Sequence, residues 1–129
     1  MLAVDISVVI RFLTADDPEQ SRRALALVGD TPIWIGKTVL LETEWVLRSL
    51  YGFGVDQVAV AFQDLVGLPT VHVENARAVQ RALEWFAAGL DFADALHFAS
   101  RGRADAFVTF DNNFRKRASR PTKITIRVP

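Results

Sequence analysis

The sequence contains no cysteine among its 129 residues. That excludes a disulfide framework and any thiolate-held zinc or iron–sulfur site. Only two histidines occur, His72 and His97, isolated from each other. No Cys/His or Ser/His/Asp nucleophilic set is therefore on offer. No apolar run reaches the roughly 18 residues that a membrane span needs. The opening MLAVDISVVIRFL carries an acid inside its apolar part and has no basic leader, unlike a signal peptide. These absences lead us to expect a cytoplasmic protein that does not enter a membrane. Repeats, low-complexity tracts and linkers are missing as well, so the expectation is one domain over residues 1–129.

What is present is an apolar half, enough for a packed core without staples. The formal net charge is zero, but unevenly distributed. Residues 101–129 hold eight Lys/Arg and two acids, a net of +6 against −6 for the rest. Such a basic end is either a solvated face or an edge that meets a polyanion.

Strand and helix patterns alternate. Short strands are expected at 2–5, 32–36, 70–73, 105–111 and 123–128. Helices are expected at 7–14, 16–30, 37–52, 55–67, 75–89, 91–102 and, briefly, 112–118. Ser7 reads as the cap of the first helix, Asp17 with Pro18 as the start of the second. Thr38 reads as opening the third and Asn75 the fifth, with Gly89 as a stop. The fold class is α/β: a three-layer α/β/α sandwich around a small, mostly parallel sheet of about five strands.

Sites in such sheets form beyond the carboxyl ends of the strands. Two acids close predicted strands, Asp5 after LAV and Asp111 after AFVTF. Either alone suits a turn. On the third helix, Glu42 flanks the expected apolar stripe of Val39, Thr43, Val46, Leu47 and Leu50. Glu44 instead precedes Arg48 by four residues, the order of a surface ion pair. In DFADALHFA, Asp91 suits an N-cap and Asp94 the third helical position of a capping box. Asp94 also has a second reading, as a carboxylate aimed at the rim. Four converging carboxylates repel one another unless a cation intervenes. An oxygen-only set suits Mg²⁺ or Mn²⁺. His97, one turn beyond Asp94, reads as a packing residue.

The segments VDISVVIRFLTADDPEQ, VLLETEWVLRSLYGF and GLDFADALHFASRGRADAFVTFD, in this order, resemble PIN-domain proteins, specifically the VapC-type toxins of bacterial toxin–antitoxin pairs. The resemblance implies an Mg²⁺- or Mn²⁺-dependent endoribonuclease whose catalytic and metal-holding acids are Asp5, Glu42, Asp94 and Asp111. Ser7 takes the place of the small polar residue supporting the first acid, and Thr109 that of a hydroxyl near the last; Asp91 supports as a cap. Two departures stand out. Ile6 replaces the usual Thr or Ser, and Asn113 replaces a frequent further acid, so one tightly held ion is the expectation. The resemblance also implies a homodimer and a cognate antitoxin whose C-terminal segment fills an apolar groove. Trp34, Trp45, Tyr51, Phe53 and Trp85 line that groove, a dimer face, or simply the core. Arg101, Arg103, Arg115, Lys116 and Arg117 flank two of the acids and are assigned to RNA phosphates. A receiver-like phosphoryl-transfer domain, and a PIN-like binding module without catalysis, are the competing classes.

Overall fold

Apolar residues at the start of the chain alternate with helical stretches, and the structure, a computed structural model, follows that rhythm through residues 1–129. The chain divides into two units, Met1–Ala76 and Arg77–Pro129.

In the first unit, β1 (Leu2–Ala3) is followed by helices α1 (Ile6–Leu13) and α2 (Pro18–Asp30). Then come β2 (Ile33–Ile35), α3 (Lys37–Ser49), α4 (Val55–Val66) and β3 (Val71–Val73). The three strands form one parallel sheet in the order β1-β2-β3. Its register pairs Leu2 with Ile33 and Ile33 with Val71. Parallel neighbours need a crossover between them, and the two helix pairs supply it. In β2, Ile33 and Ile35 are buried while Trp34 points outward. Val9, Ile10, Val28, Leu40, Leu47, Val58, Phe62 and Leu65 are buried from the surrounding helices.

α2 starts as its sequence predicts: Asp17 accepts from the Gln20 amide at 3.0 Å, with Pro18 in the first turn. α1 does not start at Ser7. Its N-cap is Asp5, because a carboxylate two residues earlier already reaches the first free amides. Nor does Thr38 open α3. Gly36 occupies the cap position and has no side chain to offer, so the Lys37 amide donates to Glu74 at 2.9 Å instead. A three-sided tie holds the α1–α2 connection. Asp16 accepts from Tyr51 Oη at 2.5 Å, from Thr14 Oγ1 at 2.8 Å and from Arg11 at 3.3 Å.

The second unit begins within the first turn of α5 (Ala76–Ala87) and continues through α6 (Phe92–Ala99), β4 (Ala106–Val108), α7 (Asn112–Ala118) and β5 (Thr125–Arg127). β4 and β5 pair in parallel, Ala106 opposite Thr125. Asn75 is not in the extended conformation of a helix cap; its φ is +50°. Gly89 ends the α5 turn with φ +111°, a conformation that side chains rarely tolerate. An aromatic cluster packs this unit. Phe98 is fully buried, stacked on Trp85 at 4.9 Å and edge-on to Phe107 at 5.1 Å and Phe114 at 5.6 Å.

The fold class is α/β, with parallel strands alternating with helices. Five strands are present as expected, but in a sheet of three and a sheet of two. Each ladder is at most three residues long and joins strands consecutive in sequence, the pairings with the shortest loops to close.

Candidate functional site

In the first unit, the parallel sheet gives its three strands a common carboxyl edge. The ladder runs one step beyond β1, with the Val4 amide donating to Trp34 at 3.1 Å, and Asp5 follows immediately. Asp5 is exposed, and a single oxygen does the capping. Oδ1 accepts from Ser7 Oγ at 2.6 Å, from the Ser7 amide at 3.0 Å and from the Val8 amide at 3.4 Å. The Ser7 hydroxyl, ahead of the two amides, holds the Asp5 carboxyl below its ordinary pKa. Oδ2 is left for other partners.

Glu42 lies on α3, which starts from the same edge after β2, and is exposed. Glu44 is not the surface residue its spacing suggests. It is 3 % exposed and belongs to the buried face of Leu40, Thr43 and Leu47. Its pairing with Arg48 is real, at 2.5 Å. The expected stripe fails at its end, since Leu50 is 72 % exposed.

Glu74 is a third acid on this edge, one residue past β3, and the sequence reading does not single it out. The signal is there: VHVE closes a strand with an acid just as LAVD does. Its amide continues the ladder to Ile35 at 2.9 Å while its carboxylate caps α3.

The second unit brings two predicted acids into one recess. Asp91 caps α6, accepting from the Asp94 amide at 3.2 Å, which places Asp94 in the first turn. Asp111, beyond β4, caps α7 by accepting from the Phe114 amide at 2.9 Å through Oδ1. Its own amide donates to Thr109 Oγ1 at 3.0 Å. Asp94, His97, Thr109, Asp111 and three apolar residues line a recess of about 140 Å³. Asp94 is half-buried, and its pKa is raised, first by that burial and then by the charges of Asp91 and Asp111. His97 and Arg117 oppose the rise. His97 is exposed and lines the recess; it is not a packing residue, because the opposite side of α6 carries Phe92, Ala95, Leu96 and Phe98 into the core.

Asp94 and Asp111 thus share a recess, whereas Asp5 stands at the sheet edge and Glu42 in the second turn of α3, the helix that leaves that edge. Within neither unit do three acidic or histidine side chains close around one point. The donor set is nonetheless of the hard-oxygen kind. Two carboxylates in one recess, one with its charge disfavoured, match the way Mg²⁺ is held: by one or two carboxylates, with waters and phosphate completing the shell.

Among the cations, Arg103, Arg115, Lys116 and Arg117 are exposed. Arg101 is used differently: it lies over the Phe98 ring at 5.5 Å and donates to the Phe98 carbonyl at 3.3 Å. Trp85 is core, 4 % exposed, whereas Trp45 is 58 % exposed. No helix is long and apolar enough to cross a membrane.

Residues 2–119 match the family model described as PIN domain. Among solved structures, the chain is similar to the Mycobacterium tuberculosis VapC20 toxin, described as cleaving the sarcin–ricin loop. The identity is 24 %, over 90 % of this chain and 94 % of that one, with a TM-score of 0.46. No curated protein gives a significant match.

Proposed function

The chain belongs to the PIN-domain family, and from that membership we propose that it is a divalent-metal-dependent endoribonuclease, the toxin of a toxin–antitoxin pair. The observation that carries this reading is the recess at the carboxyl end of β4, where Asp94 and Asp111 stand together. On this reading residues 1–129 act as one PIN domain, in the cytoplasm.

Asp94 and Asp111 would hold Mg²⁺ or Mn²⁺, and Asp5 and Glu42, in the first unit, are assigned to the catalytic acids as well. The bound ion supplies a water of lowered pKa and offsets charge on the phosphate. The rest is done by the chain. Ser7 keeps Asp5 ionised and fixes its Oδ1, so that Oδ2 would be the oxygen open to a metal. Asp91 sets the first turn of α6 and so the position of Asp94. Thr109 anchors the backbone of Asp111. Arg103, Arg115, Lys116 and Arg117 are assigned to RNA phosphates. Arg101 is left to the core, because its guanidinium is already engaged with Phe98.

A homodimer and a cognate antitoxin follow from the same reading. Their contact surface is sought among the exposed apolar residues of α3 and α4, Trp45, Leu50 and Val60. The test is cleavage of total RNA by the purified, antitoxin-free protein in Mg²⁺, Mn²⁺ or EDTA. Cleavage with metal, lost in EDTA, in Asp5→Asn and in Asp94→Asn, is the expected result. An uncut RNA pool across all metals overturns the proposal.

A further inference from the structure

The second unit contains a groove separate from the acidic recess. It runs between the α5–α6 turn and the end of α7 and has a volume of about 600 Å³. One wall is Ala88, Gly89 and Leu90; the other carries Lys116, Arg117 and Arg120. No acid lines it. The ion pairs of the molecule involve Arg11, Arg48 and Arg81, so these three cations have none. All three are exposed at the groove. Like charges gathered without a counter-charge repel, and a polyanion relieves that repulsion. Gly89 keeps the opposite wall low: its φ of +111° strains any side chain, although the space beyond it is open.

We propose that this groove is a phosphate track that guides single-stranded RNA toward the Asp94–Asp111 recess. The proposal rests on the ribonuclease reading and gives its substrate a second point of attachment. α7 joins the two places. Asp111 caps its start, and Lys116 and Arg117 follow five and six residues later. At 1.5 Å per residue this is about 8 Å along the helix axis, short enough for one strand to reach both. The Arg117 charge is also felt at Asp94. A basic groove that follows the backbone is part of how a single strand is held without reading its sequence; no aromatic ring lines this one, so the contacts it offers are to phosphate rather than to stacked bases. Arg120 is the new member; the flanking cations Arg103 and Arg115 do not line the groove.

The test is fluorescence anisotropy with a labelled 12-nucleotide single-stranded RNA in EDTA, where no cutting occurs, across a salt series. The variant is Lys116→Gln/Arg117→Gln/Arg120→Gln, compared with Arg22→Gln on the exposed face of α2. Each lost phosphate contact lowers the slope of log affinity against log salt by about 0.7. The triple variant should lose about 2 in slope and at least tenfold in affinity, with Arg22→Gln unchanged and both melting like the wild type. Wild-type affinity and slope in the triple variant overturn the proposal. So does displacement of the RNA by polyglutamate at equal charge, which would make the groove a seat for an acidic protein. If the wild type cuts no RNA yet shows the slope difference, the ribonuclease reading falls and the track stands. If it cuts RNA and the triple variant binds unchanged, the track falls alone.

Discussion

Asp94→Asn should stabilise the metal-free protein while abolishing its response to metal. At neutral pH the wild type holds an ionised Asp94 that is half-buried and faces the charges of Asp91 and Asp111. All three effects raise its pKa. A raised carboxyl pKa means that the native state binds protons more tightly than the unfolded one. Wild-type stability therefore falls as pH rises from 3.8 through the native value. Asparagine has the same shape and no charge, so it removes this cost. Because Asp94 is only half-buried, solvent screens part of the effect, and the gain is about 1 kcal/mol or less. For a chain of this length that is roughly 3–5 °C in melting temperature. As pH falls from the native value to 3.8 the difference should shrink, and below 3.8, where Asp94 is neutral in the folded and the unfolded chain alike, it should close. Magnesium reverses the order: at 100 times its dissociation constant a ligand adds about 2.7 kcal/mol to the wild type alone. Asp91→Ala is the contrast. It removes the cap on the Asp94 amide and should cost about 1 kcal/mol while leaving most of the Mg²⁺-induced rise. Differential scanning fluorimetry in EDTA and in a Mg²⁺ series reads all of this. An Asp94→Asn protein that melts below the wild type in EDTA, or still gains stability from Mg²⁺, refutes the assignment of Asp94 as the strained metal ligand.

Ser7→Ala should raise the Asp5 pKa toward 3.8, read by carboxyl NMR titration, since the hydroxyl is the largest influence holding it down; an unmoved titration would show that the two amides suffice. Asp5 and Asp16 both titrate below their ordinary value, so each contributes stability present above pH 3.8 and lost as pH falls through its native pKa. Tyr51→Phe should bring the Asp16 part of that acid loss to higher pH in acid-unfolding curves, and an unchanged curve would count against the tie. Phe98→Ala should cost about 3–5 kcal/mol in urea unfolding; a loss below about 1 would show that the aromatic cluster is not a core. Glu44→Ala should cost about 1.5–3 kcal/mol, well above Glu42→Ala, and equal losses would contradict the burial difference between the two.

Element order and two helix caps are legible in the sequence because they depend on local chemistry. Asp17 with Pro18, and Asp91 with Asp94, act within one turn, and nothing tertiary overrides them. What the sequence hides is nonlocal or turns on a small rotation. Glu44 faces inward because α3 packs through Leu40 and Leu47, a face turned slightly from the one marked by Val39, Val46 and Leu50. An acid on the buried face defeats a pattern drawn from apolar residues alone. The Glu74 cap on Lys37 spans 37 positions and exists only once the sheet has formed. His97 reads as a packing residue because its neighbours are apolar, although it lies on the one open side of α6. For the candidate acids, the strand-end rule picks out Asp5 and Asp111, and the same rule applied once more picks out Glu74, a helix cap.

Asp5 and Asp111 each spend Oδ1 on starting a helix and leave Oδ2 uncommitted. That division constrains how the chain can drift. On the proposed nuclease reading, a change to alanine at either position frays a helix as well as removing a ligand, so it costs stability even where the activity is no longer needed. Asparagine keeps the capping oxygen and discards only the charge. Descendants that lose the chemistry but keep the fold should therefore pass through asparagine, which makes Asp5→Asn and Asp111→Asn the expected marks of a silenced lineage.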